Sequence, residues 1–225
     1  MDYSPLLISL KTAVCATMIT FLVGIYAADK VMRAKGALKW VLDGLFTLPL
    51  VLPPTVAGFF LLLLLGKNGP FGTFFRRLNI QVIFTWQATV IAAVVIAFPL
   101  MYRSAKASFE QIDQNLIYAG RTLGMSEIKI FWKITIPLAL PGIISGGILA
   151  FARALGEFGA TLMIAGNIPK VTQTIPVAIY MATQGNRMDR AMLWVAIIVV
   201  ISFIVIFFMN YFPGRKRRFN TKENI

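Results

Sequence analysis

Histidine is absent from this sequence, cysteine occurs once and acidic residues number only nine among 225. Without histidine there can be no Ser-His-Asp triad, no His-Glu zinc motif and no imidazole acid–base catalyst. The lone Cys15 cannot form a disulfide within the chain. A phosphate-binding loop of the Gly-x-x-x-x-Gly-Lys-Ser/Thr kind is also missing, because Gly66-Lys67 is preceded five residues earlier by Leu61. We therefore expect no enzymatic site, no bound metal and no cofactor, and any nucleotide must be bound by a partner.

The chain has few charged residues and several long hydrophobic runs. Charged residues make up 14% of the chain and hydrophobic residues 58%, and the mean hydropathy is +0.75, which is outside the range of soluble domains. About 20 helical residues cross a hydrocarbon core of ~30 Å. The hydrophobic blocks predict spans at about 6–28, 44–66, 78–102, 136–165 and 191–212, with Lys11 inside the first and Arg153 and Glu157 inside the fourth. The expected fold class is an all-α polytopic membrane bundle of about five helices, in one domain over 1–214 with a basic tail at 215–225.

The placement of Lys and Arg predicts the orientation, because basic loops near span ends stay in the cytoplasm. The connections on one side, including 103–135 and the tail, hold fourteen basic residues. The opposite side holds six, which are Lys67, Arg76, Arg77, Lys170, Arg187 and Arg190. We expect a cell-membrane protein with its N-terminus outside and its C-terminus in the cytoplasm. The net charge of +13 could instead indicate nucleic-acid binding, but these residues lie at membrane edges, where attraction to anionic lipid accounts for them.

The loop 103–135 is too organised for a simple linker. Asp113 is a plausible N-cap for one short helix, Gly124 permits a sharp turn, and Ser126 with Glu127 can start a second helix. Its apolar and small residues indicate packing either against the chain's own bundle or against another subunit. The pattern alone leaves both open.

Small residues and one charged pair characterise the fourth block. Gly142, Gly146, Ala150 and Ala154 recur every four residues and form a ridge that favours close helix contact. A neighbouring ridge consists of Leu149, Arg153, Glu157 and Thr161. Arg153 and Glu157 stand one turn apart and can pair. The pair either cements the bundle or, together with Thr161, lines or gates a pathway for an anion.

Prolines interrupt the second block at Pro49, Pro53 and Pro54, and they predict a kinked or broken helix. Such a break either flanks a water-filled pathway or is a simple kink between an interfacial helix and the span. On the opposite side of the predicted membrane, residues 175–182 could form a short helix.

The loop carries a recognisable signature. Tyr118-Ala119-Gly120-Arg121-Thr122-Leu123-Gly124, nine further residues and Ile134-Thr135-Ile136-Pro137 resemble the Glu-Ala-Ala motif of permease subunits in binding-protein-dependent ABC importers. Ala119, Gly124, Ile134 and Pro137 match it, whereas Tyr118, Gly120 and Ile136 depart from it. The resemblance implies the type I, MetI-like permease fold and a coupling helix that docks on an ATP-binding subunit. The coupling residues it implies are Tyr118, Ala119, Gly120, Arg121, Gly124 and Pro137.

Three other runs resemble the molybdate branch of these permeases. They read Leu-Pro-Leu-Val-Leu-Pro-Pro-Thr-Val-Ala-Gly at 48–58, Phe-Pro-Leu-Met at 98–101 and Phe-Ala-Arg-Ala-Leu-Gly-Glu-Phe-Gly-Ala-Thr at 151–161. The resemblance implies a homodimer, two ATP-binding subunits that use ATP and Mg, and an extracytoplasmic binding protein. Molybdate is the implied cargo, with tungstate and sulfate as close alternatives. A stand-alone channel or secondary carrier is the alternative from another class.

Overall fold

Long apolar helices make up most of the fold. A computed structural model describes the backbone of residues 2–217 and the side chains as far as residue 208. The helices are α1 (Ser4–Arg33), α2 (Ala37–Val51), α3 (Pro54–Leu65), α4 (Pro70–Arg77), α5 (Trp86–Glu110), α6 (Gln114–Thr122), α7 (Glu127–Ile130), α8 (Ile136–Leu155), α9 (Gly159–Ala165), α10 (Ile175–Gln184) and α11 (Met188–Arg217). A π-helical turn, Phe131–Thr135, joins α7 to α8. The all-α prediction is confirmed, since residues 2–217 contain no strand.

Within the described part of the chain, four helices are long and apolar enough to cross a membrane, and these are Ser4–Arg33, Trp86–Glu110, Glu127–Leu155 and Met188–Phe208. The pair α2 and α3, which meet at an angle of 115°, adds a fifth crossing if it counts as one span. The span predicted at 78–102 is shifted, because α5 starts at Trp86 and continues to Glu110. Of the predicted tail at 215–225, residues 218–225 lie outside the described residues.

Prolines break the second hydrophobic block as the sequence predicts. The last residue of α2 is Val51, and α3 begins at Pro54 after an extended Leu52 with a ψ of 138°. Pro53 and Pro54 have no backbone N–H, so the hydrogen-bond ladder of α2 cannot continue through them. The broken-helix prediction is confirmed, and the two halves run in different directions.

The fourth block is also broken, which corrects the prediction of one helix over 136–165. The first part, α8, ends at Leu155, and α9 begins only at Gly159. The break lets α9 turn onto α3, where a Cβ atom at Gly58 would lie 2.7 Å from the Cα of Ala160. The continuous ridge expected through Thr161 is therefore wrong, because Thr161 belongs to α9 rather than α8.

The core lies where α5 packs between α1 and α8. Small residues set the distance between these helices: a Cβ atom at Gly24 would lie 2.9 Å from Met101 Cγ, and one at Gly146 would lie 2.5 Å from Ser104 Cβ. Ala150 is completely buried on the same face of α8. The predicted close contact along the small-residue ridge is confirmed, and its partner is α5.

The C-terminal ends of α1 and α5 lie near α7 and the π-helical turn, as the Arg33–Glu127 ion pair and the Phe109–Phe131 ring contact demonstrate. We call this the loop end of the bundle. The opposite end contains the N-terminus of α1 and the start of α10, which are joined by a hydrogen bond of 2.7 Å from the Ile175 backbone N–H to Ser9 Oγ. The short helix predicted over 175–182 is confirmed as α10.

Candidate functional site

The two short helices predicted in the 103–135 loop both form. The Asp113 carboxylate accepts a hydrogen bond of 2.9 Å from the Asn115 backbone N–H and caps α6. At the other end of α6, Gly124 has a φ of +72°. The Met125 N–H bonds to the Gly120 carbonyl at 3.1 Å and the Gly124 N–H to the Arg121 carbonyl at 2.9 Å. These two bonds form a Schellman motif, in which a left-handed glycine ends the helix.

The second helix starts at Ser126, whose Oγ accepts from the Lys129 N–H at 3.4 Å. Gly120 is the one buried residue of α6, and its small size is required there, since a Cβ atom would lie 3.0 Å from Ile134 Cδ1 and 3.2 Å from Ile130 Cγ1. Through this glycine, α6 packs on the chain's own α7 and on the π-helical turn that leads into α8. Packing of the loop against another subunit stays a prediction.

The other face of the loop is exposed and apolar. Leu123 is 80% exposed and Ile128 75% exposed. We define the loop surface as the exposed side chains of Leu116, Tyr118, Leu123, Ile128 and Trp132. Exposed apolar side chains grouped at one end of a bundle are typical of a contact site for protein or membrane. Of the predicted coupling residues, Tyr118, Ala119, Arg121, Gly124 and Pro137 are exposed at this end of the bundle, whereas Gly120 is buried.

Arg121 forms an ion pair within the chain, with Glu127. Its Nε lies 2.7 Å from Glu127 Oε1, and its Nη2 lies 3.3 Å from Glu127 Oε2. The hydrogen bond to Glu127 raises the pKa of the Arg121 guanidinium above its ordinary value. Glu127 also faces Arg33 at the end of α1, with 3.8 Å between Oε2 and Nη1. These side chains line a cavity of about 260 Å³ beneath the loop. Sequence reasoning missed this role of Glu127, because the Gly124 turn is what brings the two residues together.

The predicted Arg153–Glu157 pair is present, with 2.8 Å between Arg153 Nη1 and Glu157 Oε2. The Glu157 side chain is 1% exposed and that of Arg153 is 31% exposed. Glu157 lies in the break rather than in a helix, and its Oε1 accepts a hydrogen bond of 2.8 Å from the Ala160 N–H. One carboxylate thus neutralises the arginine and caps the first turn of α9.

The third pathway candidate, Thr161, lies in α9 and is 1% exposed. Close by, the rings of Phe158 and Tyr180 are 5.2 Å apart, so the break also contacts α10. The structure thus brings Arg153 and Glu157 together, while Thr161 is separated from them by the helix break. The roles of these residues in a pathway stay predictions.

A partly buried polar cluster, which sequence reasoning missed, joins α2 to α5. Asp43 Oδ1 accepts a hydrogen bond of 2.6 Å from the Tyr102 hydroxyl and one of 2.8 Å from Lys106 Nζ. The fully buried Tyr102 ring also packs edge-on against Phe46. A lone aspartate in an apolar helix requires a hydrogen-bonding or charged partner. The presence of Asp43 in such a helix could therefore have predicted that a partner exists.

Comparison with known proteins agrees with this geometry. A family model described as the binding-protein-dependent transport system inner membrane component matches residues 20–218. The Bacillus subtilis protein YvgM, whose name assigns it provisionally as a molybdenum transport system permease, is 48% identical over 209 residues, 92% of each chain. The molybdenum transport system permease ModB of Escherichia coli K12 is 42% identical over 195 residues, 85% of each chain. ModB of Haemophilus influenzae is 39% identical and covers 91% of this chain and 92% of its own.

Solved structures share the fold. A chain of the inward-facing MetNI methionine ABC transporter has a TM-score of 0.71 at 17% identity and covers 92% of this chain and 91% of its own. A chain of a bacterial alginate ABC transporter, in complex with its alginate-bound periplasmic protein, has a TM-score of 0.70 at 17% identity over 92% and 76% of the two chains. The fold is thus that of type I ABC importer permeases. This chain belongs to the family of binding-protein-dependent transport system inner membrane components, the multi-pass transport subunits of such systems.

Proposed function

We propose that this chain is the transmembrane permease of an ATP-driven importer that carries molybdate into the cell. The observation that carries the proposal is the identity of 39–48% to permeases named for molybdenum transport, over 85–92% of this chain. The runs at 48–58 and 151–161 include both helix breaks, so the resemblance extends to the part of the bundle where the backbone is irregular.

The loop surface is the proposed contact with an ATP-binding subunit. Its exposed Leu123 and Ile128 supply apolar area, and the Schellman turn at Gly124 holds α6 at a fixed angle to α7. The chain has no nucleotide-binding loop of its own. In this proposal the partner binds and hydrolyses ATP with Mg, and the permease itself binds no cofactor and catalyses no reaction.

The proposed assembly has two copies of this chain, two ATP-binding subunits and an extracytoplasmic binding protein. The loop end faces the cytoplasm, because basic residues concentrate there. The opposite end, with the N-terminus of α1 and with α10, faces outward and receives the binding protein. This orientation puts the N-terminus outside and the C-terminus in the cytoplasm.

Uptake by vesicles tests the proposal. The complex is reconstituted with its binding protein, and entry of labelled molybdate, tungstate and sulfate is measured with and without ATP. We expect molybdate uptake that requires ATP. Uptake without ATP would overturn the importer function and favour a channel or carrier. Faster uptake of sulfate than of molybdate, when each is delivered by the same binding protein, would overturn only the assigned cargo.

A further inference from the structure

A cavity of about 570 Å³ opens at the end of the bundle opposite the loop. It lies between the C-terminus of α3, the helix α4 and the segment 78–84 that leads into α5. Its walls are mainly apolar and are formed by Leu62, Leu65, Phe75, Val82, Ile83 and Phe84. Close backbone packing closes one side, since a Cβ atom at Gly72 would collide with the Gly66 carbonyl.

Two cations, Lys67 and Arg76, also line this cavity. The stretch 66–85 contains these two and Arg77 but no acidic residue. Among the described residues, neither Lys67 nor Arg76 has an acidic group within ion-pair distance. The cavity therefore combines unneutralised positive charge with an apolar wall. A small oxyanion would contact only the cations, whereas an anionic amphiphile would contact both the cations and the apolar wall.

The helices on either side of the cavity indicate its position relative to the membrane. Leu65 ends the apolar half-helix α3, and Trp86 begins α5. Tryptophan at a span end is typical of the membrane interface. Between them, α4 carries the exposed rings of Phe71 and Phe74, 53% and 57% exposed, together with Arg76 and Arg77. Exposed aromatic rings beside arginines are typical of a helix that lies in the interface.

We propose that this cavity binds an anionic phospholipid. The headgroup phosphate pairs with Lys67 and Arg76, and part of an acyl chain covers the apolar wall between α3 and the 78–84 segment. Charge complementarity and position at the interface select this ligand. The inference depends on membrane insertion of the chain and is independent of the cargo, so failure of the molybdate assignment leaves it intact.

Retention of lipid by the full-length chain tests the proposal. The protein is reconstituted in vesicles of phosphatidylcholine mixed with phosphatidylglycerol, extracted in mild detergent, and the bound phosphatidylglycerol is counted by native mass spectrometry. We expect one tightly held phosphatidylglycerol per chain. Lys67→Gln and Arg76→Gln, tested singly and together, should each reduce its retention several-fold. Arg77→Gln is the matched control, since it removes the same charge from the same helix but does not line the cavity.

Several results would overturn the proposal. If Arg77→Gln and Arg76→Gln lost equal amounts of bound phosphatidylglycerol, only the overall positive charge of this region would attract the lipid. Displacement of phosphatidylglycerol by inorganic phosphate or by molybdate at equal concentration would mean that the site recognises a free oxyanion. Unchanged retention in the double variant would exclude the two cations as headgroup contacts. Far-ultraviolet circular dichroism of each variant verifies that the total helix content is unchanged.

Discussion

Replacing Glu157 with glutamine tests whether the helix break between α8 and α9 depends on charge. Among the residues whose side chains are described, Glu157 is the one charged residue that is almost fully buried, with 2% of the whole residue exposed. Its Oε2 faces Arg153 and its Oε1 caps α9. Glutamine keeps an oxygen for the Ala160 N–H but removes the charge. The substitution therefore separates the ion pair from the cap.

The expected cost follows from the burial of the two partners. Removing one partner of a buried pair costs ~3–5 kcal/mol. Arg153 is 31% exposed, so its charge is less completely buried than that of Glu157. We therefore expect Glu157→Gln to lower the free energy of unfolding by about 3 kcal/mol, at the low end of that range. Glu157→Ala also removes the cap and should lose roughly 1 kcal/mol more. The double variant Arg153→Gln/Glu157→Gln leaves no buried charge unpaired and should recover most of the loss.

Denaturant titration of the purified chain in detergent measures these differences, with Arg77→Gln as an exposed-charge control. Transport by the reconstituted complex then distinguishes the two interpretations of the pair. If the pair only cements the bundle, the stable double variant should transport normally. If Arg153 contacts the passing anion, the double variant should be stable yet transport poorly. A double variant less stable than either single variant would refute the reasoning from charge pairing.

Two further predictions concern the loop. Gly124 has a φ of +72° and no atom within 4 Å of its Cβ position, so Gly124→Asn, which tolerates this conformation, should keep coupled transport. Gly124→Trp should insert normally yet lose stimulation of the ATPase, and normal coupling in this variant would contradict the docking role. Arg121→Glu and Glu127→Arg should each increase hydrogen exchange of α6, and the combined reversal should restore part of the protection, because Arg33 then faces an arginine. Equal hydrogen-exchange rates of α6 in all three variants would show that the Arg121–Glu127 pair does not stabilise this helix.

Local chemistry made the loop predictable. Asp113, Gly124 and Ser126 act on backbone groups within a few residues of themselves, and each has the role that its residue type favours. The break at Pro53 and Pro54 was predictable for the same reason, since proline removes a donor wherever it stands. The Arg153–Glu157 contact was predictable because the two residues are four apart.

Distant packing decided the features that the sequence did not predict. Nothing near Gly156 forbids a continuous helix, and the break there follows from the contact of α9 with α3, a segment about 100 residues earlier in the chain. The short helix α4 falls between the spans predicted at 44–66 and 78–102, where the sequence predicted no helix. The bond between Asp43 and Lys106 joins residues 63 apart. Each of these features depends on which helices become neighbours. The hydrophobic periodicity along one segment does not predict those neighbours.

The two helix breaks lie side by side. A Cβ atom at Gly159, the first residue of α9, would lie 3.1 Å from the Thr55 backbone nitrogen and 3.2 Å from Pro54 Cβ, at the start of α3. Irregular backbone in a membrane is tolerated only where protein buries it or where it lines a water-filled cavity. Glu157 satisfies the Ala160 N–H at this level, and Arg153 presents the partly exposed charge of the pair. The two interruptions contact each other, and the second holds the Arg153–Glu157 ion pair. This level of the bundle is therefore the place where a change in helix packing would alter the surroundings of Arg153.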